Sequence, residues 1–235
     1  MRLTAERIAG RGATAPGLRE QMIRRLRKKG IREERVLEQM ALVPRHVFLD
    51  EALSHSAYED CSLPIGHRQT LSQPFIVALM TELLIEGKEL TNVLELGTGS
   101  GYQAAVLSRL VKRVYTQERI LPLLKQADER FYALRYRNVY AKHSGGDEAW
   151  RDKAPFDGIM LTAAAEEIPE RLLAQLAEGG RLVMPLRCEG AGGQVLVRIT
   201  FSNGQYHRED IQGVHFVPLL NGEVGGKNRR LSAVG

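Results

Sequence analysis

The chain is poor in the residues that staple or metallate small folds. Its 235 residues include two cysteines, Cys61 and Cys188, one tryptophan, and aromatics at only 6%. Two cysteines without a short spacing make neither a disulfide framework nor a metal knuckle. Reduced thiols and a cytoplasmic location are expected. His67, His143 and His215 are not at metal-ligand spacing, so no metal is expected. No apolar run approaches the roughly 18 residues of a spanning helix, so no membrane partner is expected. The opening residues MRLTAERIAGRGATAP lack the apolar stretch of a secretory signal.

What is present fits a globular protein: 43% hydrophobic and 26% charged residues, too apolar for a disordered chain. The net charge is +5, unevenly spread. Residues 1–35 hold eleven Lys/Arg against four Asp/Glu, residues 36–220 hold nineteen against twenty-three, and residues 221–235 three against one. The body is therefore slightly acidic and the basicity sits at the ends. A basic arm can meet a polyanion, but it is more often a solvated helix face.

Periodicity predicts a helix over 16–29, with Leu18, Met22, Ile23 and Leu26 on one face and Gly30 as its stop. A second helix is expected over 32–41, ended by Pro44. Residues 54–71, broken by Pro64 and Gly66, read as a loop. A helix is expected over 72–86, with Ser72 as N-cap and Pro74 in the first turn. From residue 92 the pattern alternates. Strands are expected over 92–96, 113–118, 138–143, 156–162 and 181–186, with helices over 102–110, 120–134 and 168–177. This alternation predicts a doubly wound parallel sheet. Two further strands, 194–201 and 210–217, joined through Ser202-Asn203-Gly204, should extend one edge. The last residues, from Asn221 onward, have little to bury. One domain is expected over 1–235: N-terminal helices and a loop over 1–75, an α/β core over 76–220, and a tail over 221–235.

The first strand runs into Gly97-Thr98-Gly99-Ser100-Gly101. In such sheets ligands bind where the central strands end, and glycines let the backbone turn tightly beside them. A dinucleotide fingerprint would place a third glycine where Tyr102 stands. The spacing instead resembles that of class I S-adenosylmethionine methyltransferases. Glu118, ending the second strand, suits the ribose hydroxyls as carboxylates do in dinucleotide folds. Glu95 is either a loop organiser or a partner for the methionine amino group.

Upstream lies Tyr58-Glu59-Asp60-Cys61-Ser62-Leu63-Pro64-Ile65-Gly66-His67-Arg68-Gln69-Thr70-Leu71-Ser72-Gln73-Pro74. With VPRHVF (43–48), MTELL (80–84), VLELGTGSGYQAAVLS (93–108), APFDGIMLTAAAEEIP (154–169), LAEGGRLVMPL (176–186) and FVPLLNGEV (216–224), this segment resembles protein-L-isoaspartate O-methyltransferases over residues 18–224. The resemblance implies a mostly parallel, Rossmann-like methyltransferase sheet with an N-terminal helical cap and an added C-terminal strand pair. It implies S-adenosyl-L-methionine as cofactor and damaged, isoaspartyl-containing proteins and peptides as partners. The reaction would be methylation of the L-isoaspartyl α-carboxylate, a protein-repair step. Ser72 would be the active-site residue, with Gln69, Thr70, Pro64 and Ile65 on the substrate. Glu95, Gly97, Thr98, Gly99, Gly101 and Glu118 would serve the cofactor. A monomer is expected.

The sequence departs from the family in places. The family usually has His-Gly-Asp-Gly after the third strand, its Asp near the adenine amino group. Counted back from Ala154, that position is Gly145. Either Asp147 substitutes through a shifted loop, or adenine is held by backbone and apolar contacts. Arg68 could attract the substrate carboxylate or lie in solvent. Thr162-Ala163-Ala164-Ala165 could leave room for donor and acceptor or simply pack closely. A nucleic-acid methyltransferase would usually carry Asn/Asp-Pro-Pro-Tyr there. Leu161-Thr162-Ala163-Ala164 has neither the Pro pair nor the stacking ring, so no nucleic-acid partner is expected.

Overall fold

The structure, a computed structural model, describes residues 5–10, 16–146, 150–188 and 192–225. Asp147 therefore lies outside the described residues. Helices α1 (Ala5–Ala9), α2 (Pro16–Lys28) and α3 (Glu34–Leu42) lead into 3-10 turns at Arg45–Phe48 and Glu51–Ser56. A two-stranded antiparallel hairpin follows, β1 (Leu63–Gly66) and β2 (Gln69–Leu71), then α4 (Pro74–Ile85). The main sheet is built from β3 (Asn92–Leu96), β4 (Arg113–Glu118), β5 (Val139–His143), β6 (Phe156–Leu161), β7 (Leu176–Arg187), β8 (Gln194–Ser202) and β9 (Gln205–Val214). Helices α5 (Tyr102–Ser108), α6 (Leu121–Ala133) and α7 (Glu170–Leu173) connect them.

The strand order is β5-β4-β3-β6-β7-β8-β9. The first five are parallel, and β8 and β9 run antiparallel to their neighbours. Successive strand residues face opposite sides, so Val93 joins one core while Leu94 and Leu96 join the other. The first core takes in α2, α3, α4 and α5 through Met22, Leu37, Met40, Met80 and Val106. The chain leaves β3 for β4 on one side and returns to β6 on the other. The crevice of the fold therefore opens at the carboxyl ends of β3 and β6.

Four sequence expectations need correction. Residues 54–71 are not all loop, because 63–71 form the hairpin. Its tip, His67-Arg68, has φ values of 50° and 58°, a conformation that hairpin turns usually assign to Asn-Gly. Ser72 is not an N-cap. Helix α4 starts at Pro74, preceded by Gln73, which makes no side-chain cap. Asp60 caps it from a distance, its Oδ1 accepting the Phe75 N–H at 2.9 Å. The helix expected over 168–177 is only one turn, Glu170–Leu173, because Leu176 already pairs with Phe156 at the start of β7. The last strand is Gln205–Val214 rather than 210–217. Its pairing with β8 starts directly after the Asn203-Gly204 turn, from Ser202 opposite Gln205.

Residues 221–225 do find partners. Val224 donates to the Arg119 carbonyl at 2.7 Å and accepts from the Leu121 N–H at 3.0 Å, and Gly222 donates to the Gly145 carbonyl at 3.0 Å. This strap lies over the ends of β4 and β5. No helix among the described residues is long and apolar enough to cross a membrane.

Candidate active site

One cavity of about 1530 Å³ occupies the crevice. Small-molecule sites usually fall near 300–1,000 Å³, so there is room for a nucleoside ligand and part of a polypeptide. Its walls bring together the ends of β3, β4, β5 and β6, the segment from Gln69 to Gln73, Leu220 and the strap residue Asn221.

The glycine loop forms the floor. Gly97 has φ 99°, and a Cβ there would meet Thr162 Oγ1 at 2.2 Å. The Thr162 hydroxyl donates to the Leu96 and Gly97 carbonyls at 3.0 and 2.7 Å, clamping β6 to the loop. At Gly101, φ 91°, a Cβ would lie 2.9 Å from the Phe131 ring. Only glycine suits either place. Glu118 ties the loop down: Oε2 accepts the Gly99 N–H at 2.8 Å and Oε1 the Ile120 N–H at 2.9 Å. Each carboxylate oxygen has a second lone pair, and Glu118 lines the cavity, so it can still accept hydroxyls from a bound ligand.

Glu95 lies beneath the loop, fully buried and off the cavity wall. Its Oε2 accepts from the Thr116 hydroxyl at 2.6 Å, and Thr116 Oγ1 is 2.7 Å from Thr98 Oγ1. Its other oxygen has no hydrogen-bond partner. Burial, only partly offset by the Thr116 bond, pushes this carboxyl up to about 8. Thr98 lines the cavity, so a chain of hydroxyls joins the cavity floor to Glu95.

The opposite wall is the β1–β2 hairpin and the residues after it. Gln69, Thr70 and Ser72 reach the cavity. Pro64 and Ile65 do not line it. Ile65 leans on the glycine loop instead, its Cδ1 3.4 Å from where a Gly99 Cβ would be. Arg68 and His67 are exposed at the hairpin tip, also off the wall. Thr162, Ala163 and Ala165 line the cavity with small side chains.

At Gly145 a Cβ would meet the Gly222 carbonyl carbon and oxygen at 2.4 Å. The position where the family carries Asp thus has no space for a side chain while the strap is in place. Arg119 Nε donates to the Gly222 carbonyl at 3.0 Å and His143 Nδ1 lies 3.6 Å from Glu223. The strap was missed in the sequence because Asn221-Gly222-Glu223-Val224 holds on through backbone bonds, which leave no apolar pattern.

The geometry fits an adenosyl ligand. It offers a backbone cradle that side chains at Gly97 and Gly101 would fill, a wall carboxylate for ribose, and a narrow floor between Ser144–Gly146 and Asn221. Around the glycine loop the polar groups are backbone N–H donors and the accepting Glu118 carboxylate, a set suited to hydroxyls and amines rather than to a pyrophosphate.

Comparisons with known proteins agree with this geometry. The family model described as protein-L-isoaspartate(D-aspartate) O-methyltransferase matches residues 18–224. The chain is 53% identical over 222 residues to protein-L-isoaspartate O-methyltransferase 1 of Marinobacter nauticus, covering 94% of this chain and all of that one. It is 51% identical over 213 residues to the protein-L-isoaspartate O-methyltransferase of Pseudomonas paraeruginosa, covering 90% and 99%. A crystal structure of such an enzyme from Plasmodium falciparum, in complex with S-adenosyl-L-homocysteine, superposes with a TM-score of 0.73 at 26% identity, covering 86% of this chain and 97% of that one.

Proposed function

We propose that this chain, which belongs to the protein-L-isoaspartate(D-aspartate) O-methyltransferase family, repairs damaged proteins by methylating the α-carboxylate of L-isoaspartyl residues. Its cofactor is S-adenosyl-L-methionine. The observation that carries the reading is the shared cavity lined by both the Ser72 segment and the glycine loop, with Ile65 of the hairpin packed against Gly99. The acceptor wall and the cofactor floor are thereby held as one unit.

When bound, the cofactor supplies a methyl group already activated by its sulfonium. The acceptor carboxylate, with a pKa of about 4, is ionised at neutral pH. The S–CH₃ bond breaks as an O–CH₃ bond forms, leaving a thioether and an ester, and no proton has to move. The protein's task is therefore alignment, which can lower the barrier substantially.

Ser72 donates its hydroxyl to the acceptor carboxylate, and that hydroxyl is not spent on capping α4, since Asp60 does so. Gln69 and Thr70 orient the isopeptide backbone, with Pro64 and Ile65 shaping the hairpin beneath. Glu118 holds the ribose, Gly97, Thr98, Gly99 and Gly101 pass under the adenosyl and methionine groups, and Glu95 holds Thr98 through Thr116. Adenine would rest on the backbone between Gly145 and the strap, and Asp147, outside the described residues, is the other candidate for its amino group. Residues 1–235 act as one domain and one monomer in the cytoplasm, with neither nucleic acid nor membrane as partner.

The test is transfer of labelled methyl from S-adenosylmethionine to an isoaspartyl peptide and to its normal aspartyl twin. Base-labile label on the isoaspartyl peptide alone is the expected outcome. Equal labelling of both, or none on either, would overturn the assignment.

A further inference from the structure

Arg45 stands behind the acceptor wall. It is fully buried, in the 3-10 turn Arg45–Phe48. Its Nε donates to the Ala57 carbonyl at 2.7 Å and its Nη2 to the Ser72 carbonyl at 2.7 Å. The guanidinium lies 4.8 Å from the centroid of the Tyr102 ring, in the first residue of α5 after the glycine loop. Its Nη1 and the Tyr102 hydroxyl make no hydrogen bond of full geometry, although the two side chains are close enough to interact. No carboxylate pairs with Arg45 among the described residues. The ionisable groups that act on it are Tyr102, Cys61 and Tyr58, none of them a carboxylate, and burial raises both phenols above their ordinary value. Arginine stays charged even when buried. Asp60, the acid that precedes the hairpin, is already paired with Lys29 and with the Phe75 N–H.

A buried cation without an anion is costly, so a fold that keeps one gains something in another state. Resting on the acceptor role given to Ser72 above, we infer that Arg45 is a positioning residue that both fixes the Ser72 backbone and supplies the counter-charge for the acceptor carboxylate. The carboxylate need not touch it. The two charges are separated by little more than the Ser72 residue, in surroundings where water screens weakly. Methylation removes the negative charge. The neutral ester loses this attraction while the free carboxylate keeps it, so Arg45 holds substrate and lets product go. Because the attraction is strongest before transfer, it favours substrate affinity and product release and does not accelerate the transfer step, to which Arg45 contributes only by fixing Ser72.

The ester cyclises, so a stable neutral mimic is the isoaspartyl peptide with its α-carboxylate replaced by a carboxamide. Binding of the carboxylate and carboxamide peptides is measured by calorimetry with S-adenosylhomocysteine present, for wild type, Arg45→Met and Arg45→Lys. In wild type the carboxylate peptide binds on the order of tenfold tighter than the carboxamide. In Arg45→Met that preference falls to within about threefold, and in Arg45→Lys most of it remains. In kinetics KM rises in Arg45→Met more than kcat falls. Unchanged S-adenosylhomocysteine affinity certifies that the variant is folded.

A second measurement needs no variant. A buried charge is poorly screened, so the wild-type preference persists from about 0.05 M to about 0.5 M salt. A preference that disappears with salt would assign it to surface cations such as Arg68 and overturn the inference. So would an unchanged preference in a folded Arg45→Met. Wild type that methylates no isoaspartyl peptide would remove the underlying function as well, a result distinct from both.

Discussion

At Glu95 a carboxyl group is enclosed with one oxygen bonded to Thr116 and the other unmatched. Burial raises it from the ordinary carboxylate value to about 8. The folded protein therefore keeps this proton in a window where the unfolded chain has lost it. Stability is fully present below about pH 4.5 and drains away as pH rises toward 8. Glu95→Gln removes the ionisation and keeps an acceptor for the Thr116 hydroxyl. The expected result is that thermal stability falls less between pH 5 and pH 8.5 in the variant, by an amount on the order of a few kcal/mol. Parallel pH curves would show that Glu95 does not carry this linkage. Gly145 makes a second case. Restoring the family's Asp there would drive a side chain into Gly222, so Gly145→Asp should weaken S-adenosylhomocysteine binding and lower Tm by several degrees. Tighter binding in calorimetry would mean that the strap yields readily and the adenine contact is simply missing.

The elements that frame the site are joined by remote contacts more than by local signals. Asp60 caps α4 from fifteen residues upstream and pairs with Lys29 at the end of α2. Asp60→Ala should cost about 1–2 kcal/mol in urea denaturation. Lys29→Met, which leaves the cap, should cost clearly less, and equal costs would put the value in the ion pair. Such contacts explain what could be foreseen. Strands β3 and β6 were legible because both faces are buried and their residues are mostly apolar, and β4, more polar at its end, because it falls in the alternation of strands with helices. The glycine loop was legible because only glycine can occupy Gly97 and Gly101. The β1–β2 hairpin was not, since His67-Arg68 lacks the usual turn chemistry and only Leu63 and Leu71 are buried. Ser72 reads as a cap because serine just ahead of an apolar helical stretch with a proline in its first turn commonly is one. Nothing local announces that a distant aspartate has taken that task. Arg45 gave no signal either: a buried arginine can be recognised only once its surroundings are known.

Over the whole molecule, the charge arithmetic gains a location. The slightly acidic body holds the cavity, while the basic stretch folds as α2, with Arg24 and Lys28 exposed and Lys29 on the cavity rim. Deamidated substrates are more acidic than their parents, so this face should favour their approach. Reversing Arg24 and Lys28 together should slow association with acidic isoaspartyl peptides several-fold at low salt, and not at about 0.5 M. Identical on-rates at low salt would leave α2 as a solvated face. With α2, the hairpin and the glycine loop around one cavity, Ser72 is proposed to serve the acceptor alone and to take no part in holding the cofactor. The decisive measurement is therefore kcat/KM for an isoaspartyl peptide in Ser72→Ala, beside the S-adenosylhomocysteine affinity of the same protein. A fall of about 10- to 100-fold in kcat/KM with cofactor affinity unchanged is expected; undiminished kcat/KM would contradict the placement of the acceptor at Ser72.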